Sequence, residues 1–414
     1  ARGAAVGLAP TGTARVVGGR PYSFIEDPEP RQRLARIAAL LAGAQPMVIA
    51  AVTGTNGKTS TVEFLRQLWA AAGHRAASLG TLGVVSPPEI GGLPPSGGLT
   101  TADPVTLAQT MAALAHGGVT RAAVEASSHG LDQFRLDGLK LTAGAFTNLT
   151  RDHLDYHGSL EAYREAKLRL FQRMLPGRAP VVASTALDSE SMATLRRLAQ
   201  RRRLALQVVG EGGETIDLRR AVPLADGQAL DLLVDGVRTE LHLKLPGRFQ
   251  ADNALVAAAL ARVTGAEDAV AGLEGLVGVR GRMELVARLG NGAAVYVDFA
   301  HTPDALAVLL AALRPHCAGR LHIVFGAGGD RDRGKRPLMG QAASRLADVV
   351  IVTDDNPRSE DPAAIRAAIL EAAPGAREIG DRRTAIREGC LLLRDGDVLV
   401  VAGKGHEQGQ IVGD

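Results

Sequence analysis

The chain has 414 residues, of which 46% are apolar and 22% are charged. This length predicts two or three domains, and the composition is that of a globular rather than a disordered protein. The formal net charge is +3, from 47 basic and 44 acidic residues, and aromatic residues make up 3%. Because basic and acidic residues are nearly equal in number and few aromatic rings are present for base stacking, nucleic acid is not expected as a partner.

Cysteine usage and apolar runs narrow the class further. The two cysteines, Cys317 and Cys390, form no ligand-spaced pair. This argues against a disulfide framework or a zinc site and favours a reducing compartment. No apolar run reaches the length of a membrane span. We therefore expect a cytoplasmic protein without a membrane segment.

In chain order, residues 22–28 predict a strand that leaves a small first domain, and residues 31–41 predict a helix. Residues 47–53 form the short apolar run of a buried parallel strand, and residues 58–72 have helical spacing. Strands and helices then alternate. The further predicted strands are 122–126, 143–149 and 180–183, and the further predicted helices are 106–115, 160–171 and 189–201.

The second half begins with shorter runs between about 204 and 245, where Asp235-Gly236 predicts a hairpin turn. A helix is predicted at 249–263, and further strands at 295–299, 321–325, 349–353 and 398–402. The alternation predicts an α/β fold, with a mostly parallel P-loop domain followed by a Rossmann-like open-sheet domain. We place the domains at residues 1–28, 29–279 and 280–414, and the first is the remnant of a domain.

A phosphate-binding loop is the clearest local motif. Residues 54–60 read Gly-Thr-Asn-Gly-Lys-Thr-Ser, between the strand 47–53 and the helix 58–72. Such a turn surrounds an anion with backbone N–H groups and a helix N-terminus. In the general pattern the lysine reaches the outer phosphates and the hydroxyl after it binds Mg²⁺, although that pattern has an earlier glycine where Val52 stands. The sequence therefore predicts an ATP site with magnesium.

Polar residues follow two neighbouring strands of the same half. Glu125 opens Glu-Ala-Ser-Ser-His, and residues 147–157 contain several acids and imidazoles. These could hold metal and phosphate oxygens at the strand ends, or serve as ordinary helix caps. Lys167, judged from its helix alone, is predicted to lie on a solvated face. Yet only six of the 47 basic residues are lysine, which favours sites that need a compact or deprotonatable amine.

Three further clusters follow strands of the second half. Residues 326–332 could form a phosphate-type turn or a simple loop. Residues 354–358 (Asp-Asp-Asn-Pro-Arg) place a guanidinium where it suits bidentate capture of a carboxylate. The glycines of residues 403–407 permit close backbone approach, and Glu407 could accept a substrate ammonium.

Taken together, seven ordered motifs resemble the Mur ligases of bacterial cell-wall synthesis. They are residues 53–59, 125–135, 147–167, 297–304, 325–339, 354–358 and 402–407. The loop Gly-Thr-Asn-Gly-Lys-Thr without the earlier glycine is this family's form, which accounts for Val52. The similarity starts near residue 22, so residues 1–28 resemble the end of the family's uridine-binding first domain. We expect a monomer, and a chain trimmed at both termini.

The resemblance implies an ATP-dependent, ADP-forming ligase of peptidoglycan synthesis. A substrate carboxylate attacks the γ-phosphate, and an amine then displaces phosphate from the acyl phosphate. Residues 355–358 resemble the members that add meso-diaminopimelate to UDP-N-acetylmuramoyl-L-alanyl-D-glutamate, and Arg358 suits the distal carboxylate of diaminopimelate. A lysine-adding Mur ligase, a folylpolyglutamate-synthetase-like ligase and an ATP-binding module without ligase activity stay open as alternatives.

The resemblance also implies roles for individual residues. The implied catalytic residues are Lys58, Glu125, His153 and Lys167, of which Lys167 would be carbamylated. The implied Mg²⁺ ligands are Thr59, Glu125 and His153. The implied ATP-binding residues are Gly54, Thr55, Asn56, Gly57, Lys58, Thr59, Ser60, Asn253, Arg282, Asp298 and His301. The implied contacts to the UDP-muramoyl-peptide are Thr100, Thr101, Ser127, Gln133, Arg135 and Lys167. The implied diaminopimelate-binding residues are Arg331, Asp355, Asn356, Arg358, Gly403 and Glu407.

Overall fold

The computed structural model describes residues 6–13, 16–17, 20–21, 23–94, 98–407 and 409–413. The chain divides into two compact units. The first comprises Ala1–Leu218, Leu233–Arg238 and Asp252–Leu273, and the second comprises Arg219–Leu232, Thr239–Ala251 and Glu274–Asp414. The chain thus passes between the units several times, and the predicted division at 1–28, 29–279 and 280–414 stays a prediction.

The first unit opens with short strands and one helix. These are β1 (Gly7–Pro10), β2 (Val16–Val17), β3 (Arg20–Pro21), β4 (Phe24–Asp27) and α1 (Pro30–Ala42). Strands β1 and β4 pair in parallel, and β2 and β3 pair antiparallel. The strand predicted at 22–28 is confirmed as β4, while Tyr22 lies outside the described residues.

The main sheet of this unit is largely parallel. Its strands are β5 (Val48–Thr53), β6 (Ala76–Gly80), β7 (Gly83–Val85), β8 (Arg121–Glu125), β9 (Ala143–Phe146), β10 (Pro180–Ser184) and β11 (Ala205–Gly210). The order is β7-β6-β8-β5-β9-β10-β11, and only the β6–β7 pair among these is antiparallel. The helices are α2 (Lys58–Ala71), α3 (Pro104–His116), α4 (Ser128–Asp132), α5 (Leu154–His157), α6 (Leu160–Arg169) and α7 (Ser189–Arg202).

Burial explains why apolar runs predicted these strands. In β5, Ile49 and Ala51 point to one face of the sheet and Val52 to the other, and all three are fully buried. A parallel sheet covered by helices on both faces requires such continuous apolar strands. Because parallel strands end at a common edge, β5, β8 and β9 deliver their following loops to one place.

Three strands and a helix link the units. They are β12 (Ile216–Leu224), β13 (Gly227–Val234), β14 (Val237–Leu243) and α8 (Arg248–Arg262), and the strands continue the sheet beyond β11 in that order. Asp235 and Gly236 have φ of +48° and +85° between β13 and β14. Two positive φ angles in a two-residue loop give the twist of a tight hairpin, so the predicted turn is confirmed.

The second unit has its own open sheet. Its strands are β15 (Glu284–Arg288), β16 (Ala294–Asp298), β17 (Leu321–Phe325), β18 (Val349–Val352), β19 (Arg377–Glu378) and β20 (Val398–Ala402). The order is β15-β16-β20-β17-β18-β19, antiparallel only between β15 and β16. The helices are α9 (Pro303–Leu313), α10 (Lys335–Leu346), α11 (Pro362–Leu370) and α12 (Arg382–Leu391).

Alternate residues of these strands form apolar clusters on both faces of the sheet. Ile323 and Val400 pack with α9, α10 and α11, whereas Val324 and Leu399 pack with α12. The predicted α/β class is therefore confirmed in both units. Across the described part of the chain, no helix combines the length and hydropathy needed to cross a membrane.

Candidate active site

Two glycines of the phosphate loop lie where a side chain does not fit. Gly54 has φ +151°, and an added Cβ would collide with the Thr147 hydroxyl. Gly57, directly before α2, has φ +85°, and its Cβ would collide with the Asn253 side chain. Glycine alone tolerates both this conformation and this close approach. The loop thus lies against Asn253, one of the residues implied to bind ATP.

The loop after β9 braces the phosphate loop. The Thr55 N–H donates to the Asn148 carbonyl at 2.8 Å, and the Asn56 N–H donates to Asn148 Oδ1 at 2.9 Å. In return the Thr147 hydroxyl donates to the Asn56 carbonyl at 2.6 Å. The loops that follow the adjacent strands β5 and β9 therefore fix each other's conformation through these hydrogen bonds.

Two lysines converge on the Gly54 carbonyl. Lys58 Nζ donates to it at 2.9 Å and to the Thr55 carbonyl at 2.8 Å. Lys167, on α6, donates to the same Gly54 oxygen at 2.7 Å. Beside Lys58 in the first turn of α2, Thr59 and Ser60 are buried. A backbone carbonyl at the base of the loop is thus the meeting point of both amines.

Lys167 is 1% exposed, so its predicted place on a solvated helix face is wrong. Burial, together with the positive charge of Lys58, lowers the pKa of Lys167 well below its ordinary value. Its Nζ lies 4.4 Å from the centroid of the Tyr163 ring. Burial raises the pKa of Tyr163 to about 12, and its hydroxyl donates to Thr55 Oγ1 at 3.1 Å. The surroundings favour the neutral, nucleophilic amine of Lys167.

A buried carboxylate lies at the end of β8. Glu125 is 1% exposed and accepts the Thr81 N–H at 2.8 Å and the Thr81 hydroxyl at 3.3 Å. The Thr81 hydroxyl also lies 3.2 Å from that of Thr100. Carboxylate and hydroxyl oxygens are the donors that hard cations such as Mg²⁺ prefer.

The residues implied to bind the muramoyl-peptide form a hydrogen-bonded chain that begins at Glu125. The Thr101 hydroxyl donates to the Glu125 carbonyl at 2.8 Å and lies 3.0 Å from Ser127 Oγ. Arg135 Nη1 donates to the Thr101 carbonyl at 2.7 Å, and its Nη2 donates to Gln133 Oε1 at 2.6 Å. With Thr100 joined through Thr81, the structure brings five of the six implied residues together beside Glu125. The sixth, Lys167, instead donates to the Gly54 carbonyl.

His153 belongs to a group of aromatic rings. It precedes α5 with φ +51°, and its side chain is about half exposed. Its ring centroid is 4.9 Å from that of His129 and 6.2 Å from that of Tyr163, and His129 is 5.6 Å from His157. Burial and neighbouring imidazoles lower the pKa of both His129 and His157.

Among the described residues, no group of three or more His, Cys, Asp or Glu side chains is placed to hold a metal ion. Mg²⁺ sites often use one or two protein oxygens and take their remaining ligands from substrate phosphates. Such a site needs fewer than three His, Cys, Asp or Glu side chains. Thr59 and Glu125 offer oxygen donors of that kind for one magnesium ion, whereas the assignment of His153 to a second magnesium ion rests on the resemblance alone.

In the second unit, Arg282, Asp298 and His301 cluster around Phe299 at the end of β16. The Arg282 guanidinium lies 5.1 Å from the Phe299 ring centroid, and the His301 ring lies 4.7 Å from it. Asp298 accepts two backbone N–H groups at 2.7 Å each, yet burial raises its pKa. The implied ATP-binding set is therefore divided, since the phosphate loop and Asn253 belong to the first unit.

The residues implied to bind diaminopimelate all belong to the second unit. Asn356 Nδ2 donates to Glu407 Oε2 at 3.1 Å, which links the loop after β18 to the loop after β20. Gly403 has φ +111°, and its added Cβ would lie 2.9 Å from Asp355 Oδ2. Arg358, with φ +52°, donates from Nη1 to the Gly329 carbonyl at 2.7 Å.

Gly328 marks where the two implied arginines approach each other. A Cβ added to Gly328 would lie 2.9 Å from Arg358 Nη1 and 3.9 Å from Arg331 Cγ. The remainder of Arg331 is exposed. The Arg358 guanidinium and the Arg331 side-chain stem thus border the same glycine turn.

Comparison with known proteins decides the family. The profile "Mur ligase middle domain" matches residues 52–261, and the profile "Mur ligase, glutamate ligase domain" matches residues 281–405. The chain belongs to the Mur ligase family. Among its curated relatives, the UDP-N-acetylmuramoyl-L-alanyl-D-glutamate–2,6-diaminopimelate ligase of Caulobacter vibrioides is 54% identical, over 100% of this chain and 85% of the relative. The enzyme of that name from Mesorhizobium japonicum is 54% identical, over 97% of this chain and 82% of the relative.

Solved structures agree with this assignment. A UDP-N-acetylmuramoyl-L-alanyl-D-glutamate–2,6-diaminopimelate ligase has a TM-score of 0.70 and 35% identity, over 96% of this Mur ligase and 82% of that chain. A folylpolyglutamate synthase from Mycobacterium tuberculosis has a TM-score of 0.70 at 21% identity, over 90% of this chain and 92% of that one. The second likeness shows the shared fold alone. The family and fold class predicted from the sequence are confirmed, while the residue roles stay predictions.

Two lysines to which sequence reasoning assigned no role lie in this Mur ligase's second-unit site. Lys404 Nζ donates to Asn356 Oδ1 at 2.8 Å. Lys335, the first residue of α10, donates to the His301 carbonyl at 3.0 Å, and burial lowers its pKa. The scarcity of lysine in the chain was the signal that could have found both.

Proposed function

We propose that this Mur ligase joins meso-diaminopimelate to UDP-N-acetylmuramoyl-L-alanyl-D-glutamate and converts ATP to ADP and phosphate, as a step of peptidoglycan precursor synthesis. Relatives 52–54% identical over 97–100% of the chain carry that activity in their names. The observation that carries the choice of amino acid is that Arg358 bonds the glycine turn that precedes Arg331, while Asn356, which follows Asp355, bonds Glu407. Two cationic and two acidic groups suit the zwitterionic distal end of diaminopimelate.

Carboxylate activation is assigned to the first unit. A D-glutamyl carboxylate oxygen attacks the γ-phosphorus of ATP, the bond to the bridging oxygen breaks, and ADP leaves with that electron pair. Lys58, at the start of α2, exchanges its bonds with the loop carbonyls for bonds to the transferring phosphoryl oxygens. Phosphoryl transfer needs positioning and charge neutralisation more than covalent help from the protein.

Magnesium fits this site through Thr59 and Glu125. Bound there, Mg²⁺ would neutralise charge on the ATP phosphates. Glu125 keeps its carboxylate oriented through the Thr81 N–H and hydroxyl, so the protein has already fixed the oxygen atoms that would receive the ion. His153 is proposed to help hold a second magnesium ion.

Lys167 is proposed to be carbamylated. Its neutral amine attacks the carbon of CO₂, a C–N bond forms as one C–O π pair moves to oxygen, and a nitrogen-bound proton leaves to solvent. The reaction requires the unprotonated amine, which the burial of Lys167 and the neighbouring Lys58 favour. The product replaces a neutral amine next to the Gly54 carbonyl with an anion able to support the metal.

Amide formation is assigned to the second unit's pocket together with the activated carboxylate. The amine of diaminopimelate attacks the acyl carbon, the C–O bond to phosphate breaks, phosphate leaves with that electron pair, and the nitrogen loses a proton to solvent. Arg358 and Arg331 hold the distal carboxylate and Glu407 holds the distal ammonium, which leaves the reacting amine unbound. We place this reaction in the cytoplasm and expect the enzyme to act as a monomer.

Phosphate release measured with one component left out at a time tests this proposal. We expect release from ATP that depends on both the UDP-muramoyl-dipeptide and diaminopimelate, with magnesium present. Release that continues at the same rate without dipeptide and without amino acid would point to an NTPase module and contradict the proposal. Turnover with a folate substrate in place of the dipeptide would favour the folylpolyglutamate-synthetase alternative.

A further inference from the structure

Four oxygen atoms surround one ammonium group in the amino-acid pocket of the second unit. Lys404 Nζ lies 2.7 Å from the Gly409 carbonyl, 2.8 Å from Asn356 Oδ1, 3.3 Å from Glu407 Oε2 and 3.5 Å from Asp355 Oδ1. Its side chain is only 14% exposed. An ammonium has three donors, so these partners engage all of them.

Lys404 determines which way the Asn356 amide points. Asn356 Oδ1 accepts from Lys404 Nζ and, at 3.0 Å, from the Ile411 N–H. With its oxygen engaged twice, the amide presents its NH₂ group on the other side, where Nδ2 donates to Glu407 Oε2 at 3.1 Å. Without the ammonium, Asn356 Oδ1 would keep only the Ile411 N–H as a donor, and Nδ2 would depend on a Glu407 carboxylate that has itself lost the Lys404 contact.

Lys404 also separates two acids. In residues 98–407 and 409–413, it is the one cation in direct contact with both Asp355 and Glu407. The buried Arg382 nearby donates to the carbonyls of Ala402 and Asp354 instead, at 2.8 Å and 3.3 Å. Loss of the Lys404 charge would leave the two carboxylates to repel each other, which would move Glu407.

We propose that Lys404 is a positioning residue of the amino-acid pocket, which fixes Asn356 and Glu407 in the orientation that receives the distal ammonium group of the incoming amino acid. This inference rests on the proposed function. Lys404 acts through its neighbours and does not reach the reacting atoms, so it governs the binding of the amino acid rather than the chemical step.

The test compares Lys404→Met and Lys404→Arg with Lys140→Met, a matched change at an exposed lysine of the first unit. We expect Lys404→Met to raise KM for diaminopimelate about 10- to 100-fold, the scale of one charged hydrogen bond. The kcat and the KM values for ATP and dipeptide should stay within about twofold. Lys404→Arg should recover part of the loss because it keeps the charge, and Lys140→Met should match the wild type.

A substrate analogue separates positioning from general damage to the pocket. 2-Aminopimelate lacks the distal ammonium, so Lys404→Met should weaken the binding of 2-aminopimelate much less than the binding of diaminopimelate. The binding of 2-aminopimelate is measured with the compound as a slow substrate or a competitive inhibitor. An equal loss of affinity for both compounds, or an unchanged KM for diaminopimelate, would overturn the inference. If the wild type ligates no diaminopimelate, the proposed function fails, and calorimetric affinities of the same variants then test Lys404. Absence of wild-type binding would contradict both.

Discussion

Lys167 illustrates how the chemistry of one residue depends on contacts that its local sequence does not contain. Its helix pattern favours a solvated position, but the side chain reaches the Gly54 carbonyl across 113 positions of sequence. That contact buries the amine beside Lys58 and lowers its pKa. From the sequence, the carbamylation of Lys167 is implied only by the family resemblance. The physical reason for a reactive amine, its burial beside Lys58, becomes visible only in the fold.

Replacing Lys167 by arginine tests the carbamate. Arginine keeps its positive charge at any accessible pH and does not react with CO₂. We expect Lys167→Arg to lose roughly 10- to 100-fold in kcat, the scale seen when support of a metal site is removed. Wild-type activity should depend on bicarbonate, and Lys140→Arg should behave like the wild type. Full, bicarbonate-independent activity of Lys167→Arg would exclude the carbamate.

Replacing Arg358 by alanine tests its proposed role in selecting the amino acid. We expect Arg358→Ala to raise KM for diaminopimelate about 10- to 100-fold because a charge-assisted bond to the distal carboxylate is lost. ATP binding should stay nearly intact, and Arg387→Ala, at an exposed arginine of α12, serves as the control. Unchanged diaminopimelate kinetics in Arg358→Ala would remove the basis for the clamp.

At the scale of elements, the strands were the most predictable feature. The strands β17 and β20 begin and end where their apolar runs predicted, because a central parallel strand is buried on both faces. The predicted helix 160–171 instead ends at Arg169 and continues as a π-helical turn, Leu170–Met174. Arg202 donates to the Phe171 and Leu175 carbonyls at 2.7 Å and 2.8 Å, contacts that no local pattern reveals.

The candidate site was predictable in outline, since polar residues at parallel strand ends share one edge of a sheet. Lys404 and Lys335 escaped prediction because their partners lie on other loops, as with the Lys404 contact to Asn356.

Two glycines at opposite ends of α2 allow a matched test of the phosphate loop. Gly57 and Gly73 have nearly equal φ, +85° and +82°, but an added Cβ meets Asn253 only at Gly57. Alanine at either position carries backbone strain of about 1 kcal/mol. We expect Gly57→Ala alone to raise KM for ATP strongly. Equal KM values for ATP in the two variants would show that the close approach at Gly57 does not matter for the nucleotide.

The loop that carries Arg331 is held by Glu360, which should make its stability depend on pH. Glu360 accepts from Arg336 at 2.8 Å and 3.1 Å and from the Asp330 N–H at 2.6 Å, and these bonds lower its pKa to about 2. A carboxyl group with a depressed folded-state pKa stabilises fully above its unfolded pKa, about 4.5, and loses that effect as pH falls through about 2.

We therefore expect Glu360→Gln to lower the thermal midpoint of unfolding at pH 7. The difference from the wild type should shrink below about pH 4.5 and vanish near pH 2, as measured by scanning calorimetry at several pH values. A difference that is the same at pH 7 and near pH 2 would mean that the ionised carboxylate is not what holds the loop.

At the scale of the whole molecule, the proposed reaction draws on residues of both units. The first unit holds the phosphate loop, Glu125 and Lys167, and the second holds the amino-acid pocket. Amide formation should therefore be coupled to ATP consumption, because the amine attacks an acyl phosphate that forms only after ATP and the dipeptide have reacted. Family membership fixes the ligase class, and we propose that the pocket chemistry around Arg358 decides the amino acid.

The most direct measurement is a competition between amino acids. The wild-type protein is given ATP, magnesium, the UDP-muramoyl-dipeptide and equal concentrations of meso-diaminopimelate and L-lysine, and products are identified by mass spectrometry. We expect the diaminopimelate tripeptide as the dominant product, with ADP and phosphate formed in equal amount and no product without ATP. A lysine-containing product, or ATP hydrolysis without any amide product, would contradict the proposed function.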